Sequence, residues 1–391
     1  MIKINKKEDC CGCKACAQVC PKKCISFFDD SLEGYAYPQV DHSLCIDCHA
    51  CERVCPMLNS AASRVPMRVL SSYAPDSRIR QSSSSGGIFT LLAQDVISRG
   101  GSVFGAVFTG NFRSVRHIEI RDIDSISMLR GSKYIQSDVG NAYVLVRERL
   151  KRGIPVLFSG TPCQSHALRL FLGKKYADSS DLLIVDVICH GVPSPETWKS
   201  YLKWRIGDKH ILGVNFRDKE ENGWRSYNVS ITIRDNADDG DEDKILKIGE
   251  CFKTDLYMRS FLSNVNLRPS CYHCPSKCGK SGSDITLGDF WGIMPAPGDE
   301  AGISQVLIRT AKGTEVFDSL HINAEIHDYS EVLINNPSES ESSIEPLRRA
   351  QFWKYYKKNF PKALKMSIPR ESNILRLKIG VARILKHILN L

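Results

Sequence analysis

One cysteine pattern occurs twice near the amino terminus and constrains the fold of this chain more than any other feature. Each copy contains four cysteines and a following proline in the order CxxCxxCxxxCP. The first copy consists of Cys10, Cys13, Cys16, Cys20 and Pro21, and the second of Cys45, Cys48, Cys51, Cys55 and Pro56. So many thiols at such regular spacing predict a small segment organised around two metal centres.

The spacing within each copy predicts which cysteines act together. Three closely spaced thiolates can hold three irons of one 4Fe-4S cluster, while the fourth cysteine reaches the other cluster. The predicted ligand sets are therefore Cys10, Cys13, Cys16 and Cys55 for one cluster, and Cys45, Cys48, Cys51 and Cys20 for the second. Structural zinc is the alternative, although its sites usually come as two separated CxxC pairs. The segment resembles a bacterial-type ferredoxin with two 4Fe-4S clusters, which indicates electron transfer.

Most of the 391 residues follow this segment, enough for one large or two ordinary domains. Hydrophobic residues make up 42% and charged residues 25%, as in a soluble globular protein. The amino terminus has no apolar stretch before the first cysteine run, so we expect no secretory signal. Sixteen cysteines without such a signal indicate a reducing compartment and metal ligation. The expected location is the cytoplasm.

The formal net charge of +9 is concentrated at the carboxyl end. Residues 348–391 contain twelve Lys or Arg and one acid, Glu371, which leaves a net −2 for residues 1–347. Binding of nucleic acid by the folded body is therefore not expected. The end of the tail has apolar residues at helical spacing between Arg376, Lys378, Arg383 and Lys386. It suits peripheral contact with an anionic inner-membrane surface or an acidic partner, or else packs on its own domain.

The remaining sequence alternates strand and helix signals, which predicts an α/β layer within an α+β whole. A hairpin is expected over 25–40, between the cysteine runs. Helices are expected at 88–98, 141–150 and 164–172, and strands at 103–108, 115–120, 155–158, 182–188, 214–216, 229–234 and 245–248. The acidic stretch 235–243 is expected to be a hairpin tip. The predicted domains are 1–63, 64–335 and a basic, partly helical tail, 336–391.

Two motifs contain residues suited to binding a phosphate or a nucleotide. The sequence SSSSGG, residues 82–87, runs into the predicted helix at Ile88, where free amides favour phosphate; a serine cap without a ligand is the alternative. The sequence RGSKYIQS, residues 130–137, combines Gly131, Lys133 and Tyr134. These residues suit a nucleotide or flavin, but a capped surface turn would use several of them too.

Further cysteines occur where predicted strands end. Gly160, Thr161 and Cys163 follow one strand in SGTPCQ, and Cys189 and His190 follow the next in ICHGVPSP. Ligands collect at the carboxyl ends of strands in open α/β sheets, so these residues are well placed for chemistry. A third cluster could use Cys163, Cys189, Cys271 and Cys274, with Cys278 able to replace one of the first two. A zinc site or unligated buried thiols are the alternatives.

Five motifs, in this order behind a double-cluster segment, are similar to the beta-subunit family of coenzyme F420 hydrogenases and dehydrogenases. They are SSSSGGIF, RGSKYIQS, SGTPCQ, CHGVPSPETW and DITLGDFWG, and the resemblance covers roughly residues 8–335. It implies a large α/β flavin-binding domain and an FAD-dependent iron-sulfur oxidoreductase. By matching position it implies that Ser84, Ser85, Gly86 and Gly87 contact FAD and that Gly131, Ser132, Lys133 and Tyr134 help to seat it. It likewise assigns Cys163, Cys189, Cys271 and Cys274 to a third cluster.

The functional hypothesis is an electron relay that ends at a flavin. A ferredoxin or a dehydrogenase subunit donates electrons to the clusters, and the flavin passes them to an unidentified small-molecule acceptor. A role in polysaccharide biosynthesis is suggested by the resemblance, because bacterial relatives often accompany polysaccharide-synthesis enzymes and lack an assigned substrate. His190, Lys133 and Asp289 are candidates to donate a proton or tune the flavin, and Gly160 and Thr161 are candidates to bind it. The alternative is an electron-transfer adaptor that docks on a separate catalytic subunit and reduces no small molecule itself.

Overall fold

The computed structural model describes residues 1–235 and 244–368. The acidic loop between 235 and 244 and the predicted amphipathic helix that contains Arg376 and Lys378 lie outside the described residues. Within the described ranges, no helix is both long and apolar enough to cross a membrane.

Thirteen strands and thirteen α-helices are described. The strands are β1 Ile25–Asp29, β2 Ala36–Val40, β3 Arg68–Ser72, β4 Ser102–Thr109, β5 Ser114–Ile120, β6 Val156–Gly160, β7 Leu182–Val187, β8 His210–Asp218, β9 Asn228–Asp235, β10 Lys244–Cys251, β11 Ile285–Asp289, β12 Ser304–Ile308 and β13 Ala324–Ile326. The helices are α1 Ala15–Val19, α2 Ala50–Arg53, α3 Ser77–Gln81, α4 Ile88–Ser98, α5 Ile126–Leu129, α6 Ala142–Lys151, α7 Pro162–Ala177, α8 Pro195–Ile206, α9 Leu256–Leu262, α10 Ala311–Asp318, α11 Tyr329–Asn335, α12 Arg348–Tyr356 and α13 Phe360–Ser367. Most predicted elements are confirmed within a few residues, and α4 matches its predicted bounds.

The two cysteine runs fold alike and are joined by the predicted hairpin. Strands β1 and β2 pair in antiparallel register from Ile25 opposite Val40. In the first run the backbone is left-handed at Gly12 and Lys14, and in the second at the equivalent Asp47 and His49. Each left-handed residue that follows the second cysteine starts a short helix, α1 or α2, that carries the third cysteine. The sequence repeat is therefore also a structural repeat.

An eight-stranded mixed sheet forms the centre of the larger part, in the order β13-β3-β12-β11-β7-β6-β4-β5. Strands β11, β7, β6 and β4 run parallel, and the outer strands are antiparallel to their neighbours. Side chains alternate between the two faces. Phe158 and Ile184 pack with α6 and α7 on one face, whereas Leu157 and Leu183 pack with α4 on the other. The parallel strands thus bring the ends of β6, β7 and β11 to one edge.

A second antiparallel sheet, in the order β10-β9-β8, packs with α8 and α9 around a core that includes Trp198, Phe216 and Tyr257. The amino-terminal segment joins the large part without a break in packing, because Cys11 and Cys13 lie in the same apolar cluster as α6 and α7.

Helices α12 and α13 pack against the body of the protein. Phe352 and Trp353 are buried against Val265 and the side chain of Leu32. Arg349 donates to Glu33 Oε2 at 2.5 Å, and both side chains are buried. This ion pair fastens the turn between β1 and β2 to the carboxyl-terminal helices, so residues 348–367 hold the cysteine segment in place.

Candidate functional site

Four cysteines of the amino-terminal segment form one set, here called the inner group, of which the first three are buried and the last is half-buried: Cys10, Cys13, Cys16 and Cys55. Burial raises the pKa of the Cys16 thiol to about 12, and the nearby thiols of Cys10 and Cys55 add to the effect. Burial also raises the pKa of Cys55, with Cys10 contributing. The structure therefore gathers three cysteines of the first run with the last cysteine of the second, which is the predicted crossed set.

The other four cysteines, the outer group, line a small cavity: Cys20, Cys45, Cys48 and Cys51. Cys48 is exposed, so this group reaches the surface. Cys24 also borders the cavity, with its Sγ 3.4 Å from Cys20 Sγ. The proximity of Cys51 contributes to the raised pKa values of Cys16 and Cys55, which puts the two groups side by side. Among the described residues, no cluster of three or more His, Cys, Asp or Glu side chains is arranged to hold a single metal ion.

A third group of cysteines converges from separate parts of the larger fold: Cys163, Cys189, Cys271 and Cys274. Cys163 lies in the first turn of α7 and Cys189 follows β7, while the other two belong to the 3-10 helix Pro269–His273 and its carboxyl end. Burial raises the pKa of Cys189 to about 12, with contributions from Cys163 and Cys274. Burial also raises the pKa of Cys271, with contributions from the other three.

Two further cysteines lie beside these groups. The contact with Cys13 raises the pKa of Cys11, and the contact with Cys11 raises the pKa of Cys163. Cys11 thus connects the inner group to the third group. Cys278 borders a separate small cavity behind Cys189, and its thiol points to Ser340 O at 3.8 Å.

A cavity with a volume of about 460 Å³ lies at the edge where β6, β7 and β11 end. All five sequence motifs contribute residues to its wall. The predicted site residues that line it are Ser84, Ser85, Gly87, Gly131, Ser132, Lys133, Tyr134, Gly160, Thr161, Cys189, His190 and Asp289. Ser84 Oγ accepts from Ser132 N at 2.7 Å, which ties the first motif to the second. Cys189 lines the cavity and also belongs to the third group.

Among the four residues 84–87 that were predicted to contact FAD, Gly86 alone does not line the cavity. Its amide donates to Ser304 Oγ at 2.9 Å, and a Cβ at this position would lie 2.6 Å from Ser72 O and 2.7 Å from Ser304 N. The glycine therefore lets two backbone segments approach behind the cavity wall.

Replacing Gly86 with alanine should destabilise the fold by about 1–3 kcal/mol, because backbone atoms would have to move away from the new methyl group. Gly213 is a matched control, since a Cβ there would meet nothing closer than Thr232 at 3.9 Å. Urea unfolding would measure both variants. Equal stabilities of Gly86→Ala and Gly213→Ala would contradict this account of Gly86.

The three residues predicted to donate a proton or tune a cofactor have different partners. Lys133 Nζ donates to the carbonyls of Leu129, Arg130 and Gly131 at 2.9–3.1 Å, and burial lowers its pKa to about 7. These hydrogen bonds indicate that Lys133 stabilises the turn at Gly131. Burial lowers the pKa of His190, and its Nε2 lies 2.6 Å from Asn264 Oδ1.

Asp289 is held by two donors on the inner side of the cavity wall. Its Oδ1 accepts from Arg217 at 2.8 Å and from Trp224 Nε1 at 2.6 Å. The carboxylate therefore positions Arg217, a residue that the motifs did not single out. Arg217 lies over the rings of Tyr227, at 3.9 Å, and Trp291, at 5.0 Å.

His117 is a second wall residue that the motifs missed. Its Nε2 lies 3.1 Å from Ser159 O, and its ring stacks on Phe158. Burial lowers its pKa to about 4, so the imidazole is neutral at pH 7 and donates from Nε2. Neither its Nδ1 nor Arg217 Nε has a hydrogen-bond partner among the described residues, although both atoms are buried. Burying a polar atom without a partner is costly, so each of these two atoms marks an unsatisfied polar position beside the cavity.

Comparisons with known proteins match two parts of the chain. Residues 155–331 match the sequence model for the C terminus of the coenzyme F420 hydrogenase/dehydrogenase beta subunit, and residues 9–59 match that of a 4Fe-4S dicluster domain. No curated protein matches. A solved structure of the F420-reducing [NiFe] hydrogenase complex from Methanosarcina barkeri, prepared by xenon derivatization, aligns at 16% identity with a TM-score of 0.45, covering 78% of this chain and 91% of that chain. The resemblance predicted from the motifs is confirmed by the two family matches.

Proposed function

We propose that this protein is an iron-sulfur flavoprotein oxidoreductase that accepts electrons at the exposed outer group and delivers them to an acceptor at the large cavity. The observation that carries the proposal is a series of neighbouring cysteines that extends from the surface to the cavity. The outer group reaches the surface at Cys48 and adjoins the inner group. Cys11 joins the inner group to Cys163 of the third group, and Cys189 of that group lines the cavity.

The three cysteine groups fit 4Fe-4S clusters by the chemistry of their donors. Each offers four thiols, and the first two sets follow the spacing of two-cluster ferredoxins. Bound clusters would supply one-electron transfer. The protein's contribution is to bury most of the inner group and half-bury the third group, which limits the access of water, and to leave the outer group accessible to a donor protein at Cys48. The description of the matched family as a beta subunit supports a partner subunit as that donor.

The cavity fits a flavin in size, charge and lining. About 460 Å³ lies within the usual range for ligand pockets. Its charged lining residues are Arg130, Lys133, Arg217 and Asp289. The two arginines alone outnumber the one carboxylate, which favours an anionic group such as a pyrophosphate. FAD in this cavity would couple one-electron to two-electron chemistry. Ser84, Ser85, Gly87 and Ser132 would hold it, and Tyr134 and Phe261 supply aromatic wall surface.

Anaerobic purification with iron, sulfide and flavin quantified together tests the proposal. Three clusters predict about twelve irons per chain and two predict about eight, with close to one FAD in either case. Cys189→Ser should lose about four irons, because it removes one of four ligands from the third group. Cys251→Ser is the matched control, since that thiol points to Ser226 O at 3.6 Å and lies outside all three groups. A protein without flavin, or with iron unchanged in Cys189→Ser, would refute the corresponding part.

Turnover distinguishes this enzyme from an electron-transfer adaptor. With dithionite or reduced ferredoxin as donor, the isolated chain should reduce a small-molecule acceptor at the cavity. An adaptor would show cluster reduction without turnover until its catalytic partner is added.

A further inference from the structure

Arg268 is an arginine buried where the cysteine segment meets the larger part of the protein. Its exposed fraction is 1%. Its amide donates to Val192 O, and its carbonyl accepts from Cys271 N at 2.8 Å. The residue is therefore fixed at the start of the 3-10 helix that carries Cys271 of the third group.

Its guanidinium reaches across to the inner group. Nε donates to Cys10 O at 2.6 Å, and a terminal nitrogen lies 3.4 Å from Cys10 Sγ and donates to Ala36 O at 2.9 Å. The other terminal nitrogen donates to Gln136 Oε1 at 2.8 Å. The rings of Tyr37 and Tyr35 lie 4.5 and 5.1 Å from the guanidinium carbon.

This buried cation lacks the usual counter-charge. No carboxylate of the described residues forms an ion pair with it, and an arginine cannot lose its proton to relieve the cost of burial. The group that can supply a negative charge next to the guanidinium is the Cys10 thiolate, whose Sγ lies 3.4 Å from a terminal nitrogen of Arg268. A fully buried guanidinium here thus fits an inner group that holds thiolates and a negatively charged cluster.

Among the described residues, the outer group has no buried cation. The positively charged residues that line its cavity are Met1, at the amino terminus, which is partly exposed, and Lys22, which is exposed. Within the described ranges, the nitrogen donor to one of its sulfurs is the neutral backbone amide of Ile2, 3.2 Å from Cys51 Sγ. Cys48 is exposed, so water screens charges near this group. The two cysteine runs share their backbone conformation, but in the part of the chain that the structure describes only the inner group faces a buried positive charge.

Resting on the proposed cluster-binding function, we propose that Arg268 is a positioning residue that raises the reduction potential of the inner cluster above that of the outer cluster. Reduction adds one negative charge, and a cation hydrogen-bonded to a ligand sulfur at low dielectric stabilises the reduced form. Electrons that enter at the exposed group therefore settle on the inner one, next to Cys11 and Cys163. This asymmetry directs electrons toward the cavity.

Anaerobic redox titration of the full chain, followed by electron paramagnetic resonance, tests this inference. Signals are assigned with Cys48→Ser, which removes an outer ligand. Arg268→Gln should shift the inner potential downward and leave the outer potential unchanged. Arg268→Lys should shift it less, because the charge remains while the forked contact with Cys10 is lost.

The matched control is Arg349→Gln. Arg349 is also a buried arginine that fastens the cysteine segment, through Glu33, but it donates no hydrogen bond to a cysteine sulfur in the described structure. It should leave both potentials unchanged. Equal shifts of both potentials, or an unmoved inner potential with full iron content, would overturn the inference while leaving the proposed function intact. If Arg268→Gln loses the inner cluster, the reduction potential of that cluster is measured in Arg268→Lys instead. A potential below that of the unsubstituted protein supports the inference, and an unchanged potential overturns it.

Discussion

Cys55→Ser should lose the inner cluster, about four irons per chain, and keep the outer one. The reason is the crossed arrangement, in which the last cysteine of the second run lies with Cys10 and Cys16 of the first. If each run held its own cluster, the same substitution would instead remove the cluster of the second run. The two ligation schemes therefore predict that a different cluster remains after the substitution.

The reciprocal variant, Cys20→Ser, makes the test symmetrical. Cys20 lines the outer cavity with Cys45 and Cys48, so its loss should remove the exposed cluster and spare the buried one. Iron analysis counts the clusters, and the paramagnetic signal of the remaining cluster identifies it through its solvent accessibility. Cys24→Ser serves as a control for a thiol that borders the outer cavity without belonging to either ligand set. Loss of both clusters in every variant would argue against independent sites and hence against the crossed assignment.

The amino-terminal dicluster segment could be predicted from sequence because its information is local. Spacing within each run determines which thiols are neighbours, and the left-handed residues flanking the second cysteine repeat with the sequence. The strands and helices could be predicted for a similar reason. The spacing of apolar residues over 88–98, for example, indicates which face of α4 is buried. Parallel strands then bring successive strand ends to one edge, which is why the motifs after β6 and β7 meet at the cavity.

The residues that sequence reasoning missed depend on long-range pairing. Arg217 comes from β8, in a different sheet from Asp289, and its sequence neighbours show no motif. His117 lies on β5, at the edge of the large sheet, and reaches the cavity because β5 pairs with β4. Arg268 stands 258 positions from Cys10, the residue that it contacts. Sequence reasoning also missed the local bonding of Lys133, whose Nζ donates to three backbone carbonyls of its own turn.

Arg217→Gln should weaken flavin retention by about tenfold to a hundredfold. Arg217 is the most buried of the cationic side chains around the cavity, with 2% of its side chain exposed, and its Nε lacks a partner among the described residues. Hydrogen bonds to a charged group contribute about 1.5–3 kcal/mol, which corresponds to that range of affinity. The loss would be measured as flavin per chain after gel filtration and as the dissociation constant for added FAD.

Glutamine at position 217 would also leave Asp289 with Trp224 as its donor, so the effect on binding has to be separated from an effect on folding. Thermal unfolding and iron content should be followed in the same samples. Iron should stay constant because, in the described structure, Arg217 forms no hydrogen bond or ion pair with a cysteine of the three groups. Arg205→Gln is the matched control, since it breaks a partly exposed ion pair with Glu250 away from the cavity. We expect the cavity to bind an anion mainly through the Arg217 guanidinium, because the Nζ donors of Lys133 already bond the backbone. If Arg217→Gln bound flavin as tightly as Arg205→Gln, the cofactor would have to lie elsewhere.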